Sequence, residues 1–68
     1  MKYLVVYERS ASGWGAYPPD LPGVGVAGKT LDEVKELVRE AIELHLEGMR
    51  QNGETIPAPA ATTEYISV

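Results

Sequence analysis

The sequence predicts an α+β fold of element order β-β-β-α-β, a mostly antiparallel sheet with one covering helix. Three observations predict it. The chain opens on an alternating apolar run, a turn rich in proline and glycine interrupts it early, and a long amphipathic segment then runs between a helix start signal and a helix stop signal. The 68 residues form one domain, residues 1–68. A chain of this size buries only roughly 60% of its unfolded surface, so a bound partner or self-association is a physical expectation.

The first strand is expected over Lys2 to Arg9. Tyr3, Val5 and Tyr7 share one face and Leu4, Val6 and Glu8 the other. Both faces are largely apolar, which places the strand centrally. Ser10-Ala11-Ser12-Gly13 supplies small turn residues, and Trp14 to Tyr17 returns as the second strand of a hairpin. Val24-Gly25-Val26-Ala27 is a short third strand, with Gly25 marking a bulge or a close backbone approach.

Between the second and third strands lies Pro18-Pro19-Asp20-Leu21-Pro22-Gly23. Proline fixes φ and donates no backbone hydrogen bond, so this segment cannot sit inside a paired strand. Rigidity of this kind serves either as a stiff connector or as a platform that presents side chains.

Thr30 is the expected N-cap of the helix, with Glu33 three residues later completing a capping box and Asp32 near the positive end of the helix dipole. The helix should run from Leu31 to about Asn52 and stop at Gly53. Its inward stripe is Val34, Leu37, Val38, Ala41, Leu44, His45 and Gly48, widened towards the end by Ile42, Leu46 and Met49. That arc is too wide for one sheet face. Ile42, Leu46 and Met49 are therefore expected to meet either the C-terminal segment or another subunit. Glu36, Glu40, Glu43 and Glu47 form an acidic ridge on the opposite side.

After a proline-containing linker, Thr62 to Val68 alternates again and is expected as a fourth strand. A right-handed crossover would lay it parallel to the first strand, giving the spatial order 3-2-1-4.

Composition excludes several functions. The chain has no cysteine, so disulfides and thiolate metal sites are absent. Its net charge is −4 and its six basic residues are scattered, which disfavours direct nucleic-acid binding and suits a basic partner. Neither a signal-peptide pattern nor a membrane-spanning run is present, and a cytoplasmic location is expected. His45 is the only histidine and has no ligand-spaced companion, so it reads as structural or interfacial. No cofactor motif and no Ser-His-Asp set can be assembled, and the chain is not expected to be an enzyme.

The order of these features resembles the HicB-like antitoxin family. The residues that carry the likeness are Gly13, Ala16, Pro19 to Gly23, Gly28, Thr30, Glu40-Ala41-Ile42 and Gly53 to Pro57, covering the chain from about Tyr3 to Pro57. The resemblance implies a truncated ribonuclease-H-like fold and a binding module that occludes a small HicA-type mRNA-cleaving toxin. Many members continue into a DNA-binding module, whereas this sequence ends at Val68, so the chain by itself is expected not to bind DNA. The residues expected to meet the partner are Trp14, Tyr17, Asp20 and Leu21 around the turn, with Glu8 adding charge; the competing roles are core packing for Trp14 and Tyr17 and a turn cap for Asp20. The oligomer interface is expected at Ile42, Leu46 and Met49. Two alternatives stand beside this reading: an orphan homo-oligomeric interaction protein without a toxin, and a minimal hydrolase using Glu8, Asp20 and Glu64.

Overall fold

The computed structural model describes residues 1–68. Strand β1 (Val6–Ser10) pairs antiparallel with β2 (Gly13–Tyr17), which pairs antiparallel with β3 (Val26–Gly28), and the 21-residue helix α1 (Leu31–Gln51) follows. The hairpin register sets Val6 opposite Tyr17, Tyr7 opposite Ala16, Glu8 opposite Gly15 and Arg9 opposite Trp14. On β3, Gly28 faces Trp14, Ala27 faces Gly15 and Val26 faces Ala16. Residues directly opposite point to the same side, so Tyr7, Arg9, Trp14, Ala16 and Val26 share one face, and Val6, Glu8, Gly15, Tyr17 and Ala27 share the other.

Helix α1 packs on the first of these faces, over β2 and β3 and not over β1. Ala16, Val34 and Val38 are the buried centre of the core, with Val5, Trp14, Val26 and Ile42 around them. Only five of 68 residues are fully buried, so the protomer has little core to spare.

The helix ends follow the sequence closely. Thr30 is the N-cap: its Oγ1 accepts from the Glu33 N–H at 3.1 Å. Glu33 reaches back one residue further than a standard capping box, accepting from the Lys29 N–H at 3.2 Å. At the other end Gly53 takes φ +69°, its N–H bonds the Arg50 carbonyl, and the Glu54 N–H bonds the Met49 carbonyl at 2.9 Å. These two bonds are the Schellman pattern, which requires a left-handed residue in the position Gly53 holds.

Three expectations are corrected. The first strand begins at Val6, and it is an edge strand rather than a central one. Helix residues Leu37 and Leu44 are not in the inward stripe: Leu44 is 72% exposed, because the helix sits towards β3 and turns this flank to solvent. The fourth strand does not form within the protomer, since residues 62–68 pair with nothing and lie exposed. The reason is visible in the path of the chain. The Tyr3 hydroxyl donates to the Pro57 carbonyl, and the N–H groups of Ala60 and Ala61 donate to Asp20 Oδ2 at 3.0 and 3.1 Å. The chain thus runs from beside Tyr3 to the turn after β2, and its last residues leave from that turn rather than from the outer edge of β1.

Candidate functional site: the turn and the open sheet face

The rigid segment after β2 is a pair of β-turns sharing Leu21. In the first, the Leu21 N–H bonds the Pro18 carbonyl at 3.1 Å; in the second, the Val24 N–H bonds the Leu21 carbonyl at 3.3 Å. Each has a proline at its second position, Pro19 and Pro22, where a fixed φ near −65° suits a turn. Gly23 is third in the second turn with φ +88°, the conformation a type II turn demands there. The hinge between the two turns is nailed down by Leu21, whose side chain is 1% exposed, and Pro18 is buried beside it.

Of the five residues expected to meet a partner, the structure brings two together. Glu8 and Tyr17 project from the sheet face opposite the helix, separated by the small Gly15 and flanked by Val6 and Ala27. Glu8 is exposed and Tyr17 is 41% exposed. Sequence reasoning passed over Val6, Gly15 and Ala27. Gly15, two residues before Tyr17, and Val6, two before Glu8, were readable from the period of a strand, whereas Ala27 joins them only through the β2–β3 register.

The other three residues have internal work. Trp14 lies on the helix side, packed against the core, with the Arg9 guanidinium 5.8 Å from its ring centre in a cation–π arrangement. Leu21 is buried and anchors the turn. Asp20 is half-buried and spends Oδ2 on the two backbone donors of Ala60 and Ala61.

On the helix, Ile42, Leu46 and Met49 are half-buried. Ile42 and Leu46 line a groove of about 320 Å³ between α1 and the N-terminal segment at Tyr3, with Arg39 and Arg50 also on its wall. His45 is half-buried and borders a second groove with Gly23, Val24 and Gly25. Glu8, Asp20 and Glu64 do not converge: no group of three or more histidine or acidic side chains is placed to hold a metal ion. No helix is long and apolar enough to cross a membrane.

Comparison with known proteins places this geometry. The chain is 36% identical over 67 residues to an uncharacterized 14.9 kDa protein of Haemophilus phage HP1, covering 98% of this chain and 50% of that protein, so it spans about half the length of this relative. A UPF0150 protein of Archaeoglobus fulgidus is 42% identical over 59 residues, covering 82% of this chain and 86% of its own. Among solved structures, a chain of a HicA3 and HicB3 toxin-antitoxin complex superposes with a TM-score of 0.73 at 27% identity, over 88% of this chain and 70% of that one. The family profile described as the HicB-like antitoxin of bacterial toxin-antitoxin systems matches residues 3–67. With three antiparallel strands, one covering helix and the double proline turn in place, the chain belongs to the HicB-like antitoxin family.

Proposed function

We propose that this domain works in the cytoplasm as an antitoxin module that binds a small basic HicA-type ribonuclease and covers its catalytic surface. The observation that carries this reading is the close fold match to a chain of a toxin-antitoxin complex. The chemistry is occlusion, not catalysis: the domain offers an open sheet face bearing Glu8 and Tyr17, and a net charge of −4 that attracts a cationic partner. Tyr17, at the end of β2 where the strand enters the proline turn, supplies contact area at low entropic cost, and the single acid gives direction to the encounter.

The same reading includes self-association through the helix flank of Ile42, Leu46 and Met49. A protomer with so small a core gains stability from covering these half-buried side chains.

Affinity purification of the tagged chain from its native host tests the toxin reading. The expected result is a stoichiometric complex with a small basic HicA-type protein whose RNA cleavage is suppressed. Recovery of copies of the chain alone would instead favour the orphan interaction protein.

A further inference from the structure

The last seven residues, 62–68, contact little of their own protomer. Tyr65 is 106% exposed, Ile66 71% and Val68 124%, values of side chains standing free in solvent. The Cα radius of gyration is 13.3 Å, against about 11 Å for a compact domain of this length. Yet this arm is neither polar nor glycine-rich. Glu64, Ile66 and Val68 fall on one side of an extended chain and Thr63, Tyr65 and Ser67 on the other, the pattern of a strand with one face to bury.

The protomer also carries the complementary vacancy. The outer edge of β1 is unpaired, and β1 is the one strand the helix does not cover. Such an edge, five residues long and open, is a template for another strand. Where the chain leads into this strand, a groove between α1 and the N-terminal segment is apolar at Met1, Tyr3, Ile42 and Leu46, with Arg39, Glu43 and Arg50 on the helix rim. The edge at β3 has only three residues and is the poorer template.

We infer that the arm of one protomer pairs along the outer edge of β1 in a second copy, seating Ile66 and Val68 against Ile42 and Leu46. This rests on the self-association reading above and specifies how it is achieved. The arm and the groove match in chemistry: two aliphatic side chains meet an apolar floor, and Glu64, two residues before Ile66, falls towards one of the arginines at the groove's ends. Seven extended residues reach roughly 23 Å, enough to run the length of the edge strand. Pairing within one chain is opposed by the Asp20 clamp, which sends the arm off from the turn after β2. Exchange between two copies satisfies both edges at once and forms an isologous dimer. It also places the C-terminal segment and another subunit at the same helix flank.

The test uses the full chain without any toxin, so its result is independent of the partner reading. Sedimentation velocity should show a dimer at micromolar concentration. Ile66→Pro removes a backbone donor from the arm, and Ile66→Asp puts a charge where an aliphatic side chain packs. Each should weaken the dimer by on the order of a hundredfold or more, equivalent to about 2.8 kcal/mol. Because the arm touches almost nothing in its own protomer, both variants should keep the far-UV circular dichroism of the parent chain. The absence of native cysteine makes a second measurement clean. In the double variant Tyr7→Cys/Tyr65→Cys, a flexible bis-maleimide should link one chain to another.

Three outcomes would overturn the inference. A parent chain that stays monomeric removes self-association altogether. A dimer unaffected by Ile66→Pro keeps self-association but removes the arm from it. Cross-links confined within single chains would show that the arm returns to its own β1.

Discussion

The Asp20 carboxylate accepts a hydrogen bond from the backbone N–H of Ala61 at 3.1 Å, and from that of Ala60 at 3.0 Å, across 40 residues of sequence. A single side chain in the turn therefore sets where the C-terminal arm leaves the domain. Asp20→Ala leaves two backbone donors unpartnered and should cost about 1–2 kcal/mol, hydrogen bonds to a charged acceptor being the stronger kind. For a domain this small that is a fall in melting temperature of about 5–15 °C. Hydrogen exchange at the Ala60 and Ala61 amides should accelerate in the same variant. Unchanged exchange there would detach Asp20 from this role.

Leu21 is the joint between the two turns, buried to 1% exposure. Leu21→Ala should destabilise the domain by about 2–5 kcal/mol, a large share of what a small fold possesses. Chemical denaturation measures it directly. A loss below about 1 kcal/mol, the size expected at a surface position, would mean that the turn is not anchored through this side chain.

Gly23 sits at φ +88° with no neighbour near the space a Cβ would occupy. Gly23→Ala should therefore cost about 1–2 kcal/mol from backbone strain alone. An Asn in the same place should recover part of it, since Asn tolerates positive φ. Equal melting temperatures for the Ala and Asn variants would contradict the type II assignment.

Thr30→Ala removes the oxygen that caps the Glu33 N–H and should lower stability by about 1 kcal/mol. Thr30→Ser, which keeps the hydroxyl, should lose far less. Thermal denaturation of the pair separates capping from any packing role of the methyl group.

What could be read from the sequence divides along physical lines. Local signals were complete at the helix: Thr30, Glu33 and Gly53 state their roles in the residues themselves, and the observed ends fall within a residue of expectation. The proline turn was equally plain, because Pro19, Pro22 and Gly23 restrict the backbone whatever surrounds them. Which way a strand residue points was not. Trp14 and Tyr17 are three apart in one strand, and only the register of the hairpin, with Arg9 opposite Trp14 and Val6 opposite Tyr17, sends one to the core and the other to the open face. Leu21 and Asp20 looked available to a partner because burial and a hydrogen bond spanning 40 residues have no local signature. The alternation of 62–68 marked a segment competent to be a strand, but pairing is a property of two strands, and the protomer does not supply the second.

The central claim is that the open sheet face meets a basic toxin, and Glu8 and Tyr17 are its exposed residues on one surface. The most direct measurement is the affinity of the purified chain for the HicA-type protein recovered with it, by calorimetry, compared with that of Glu8→Lys. Reversing this charge removes an attraction and adds a repulsion, and should weaken binding by tenfold or more, about 1.4 kcal/mol at the least, while the melting temperature of the free chain stays unchanged. Equal affinity for the parent and the Glu8→Lys variant would contradict the account and move the toxin to another surface.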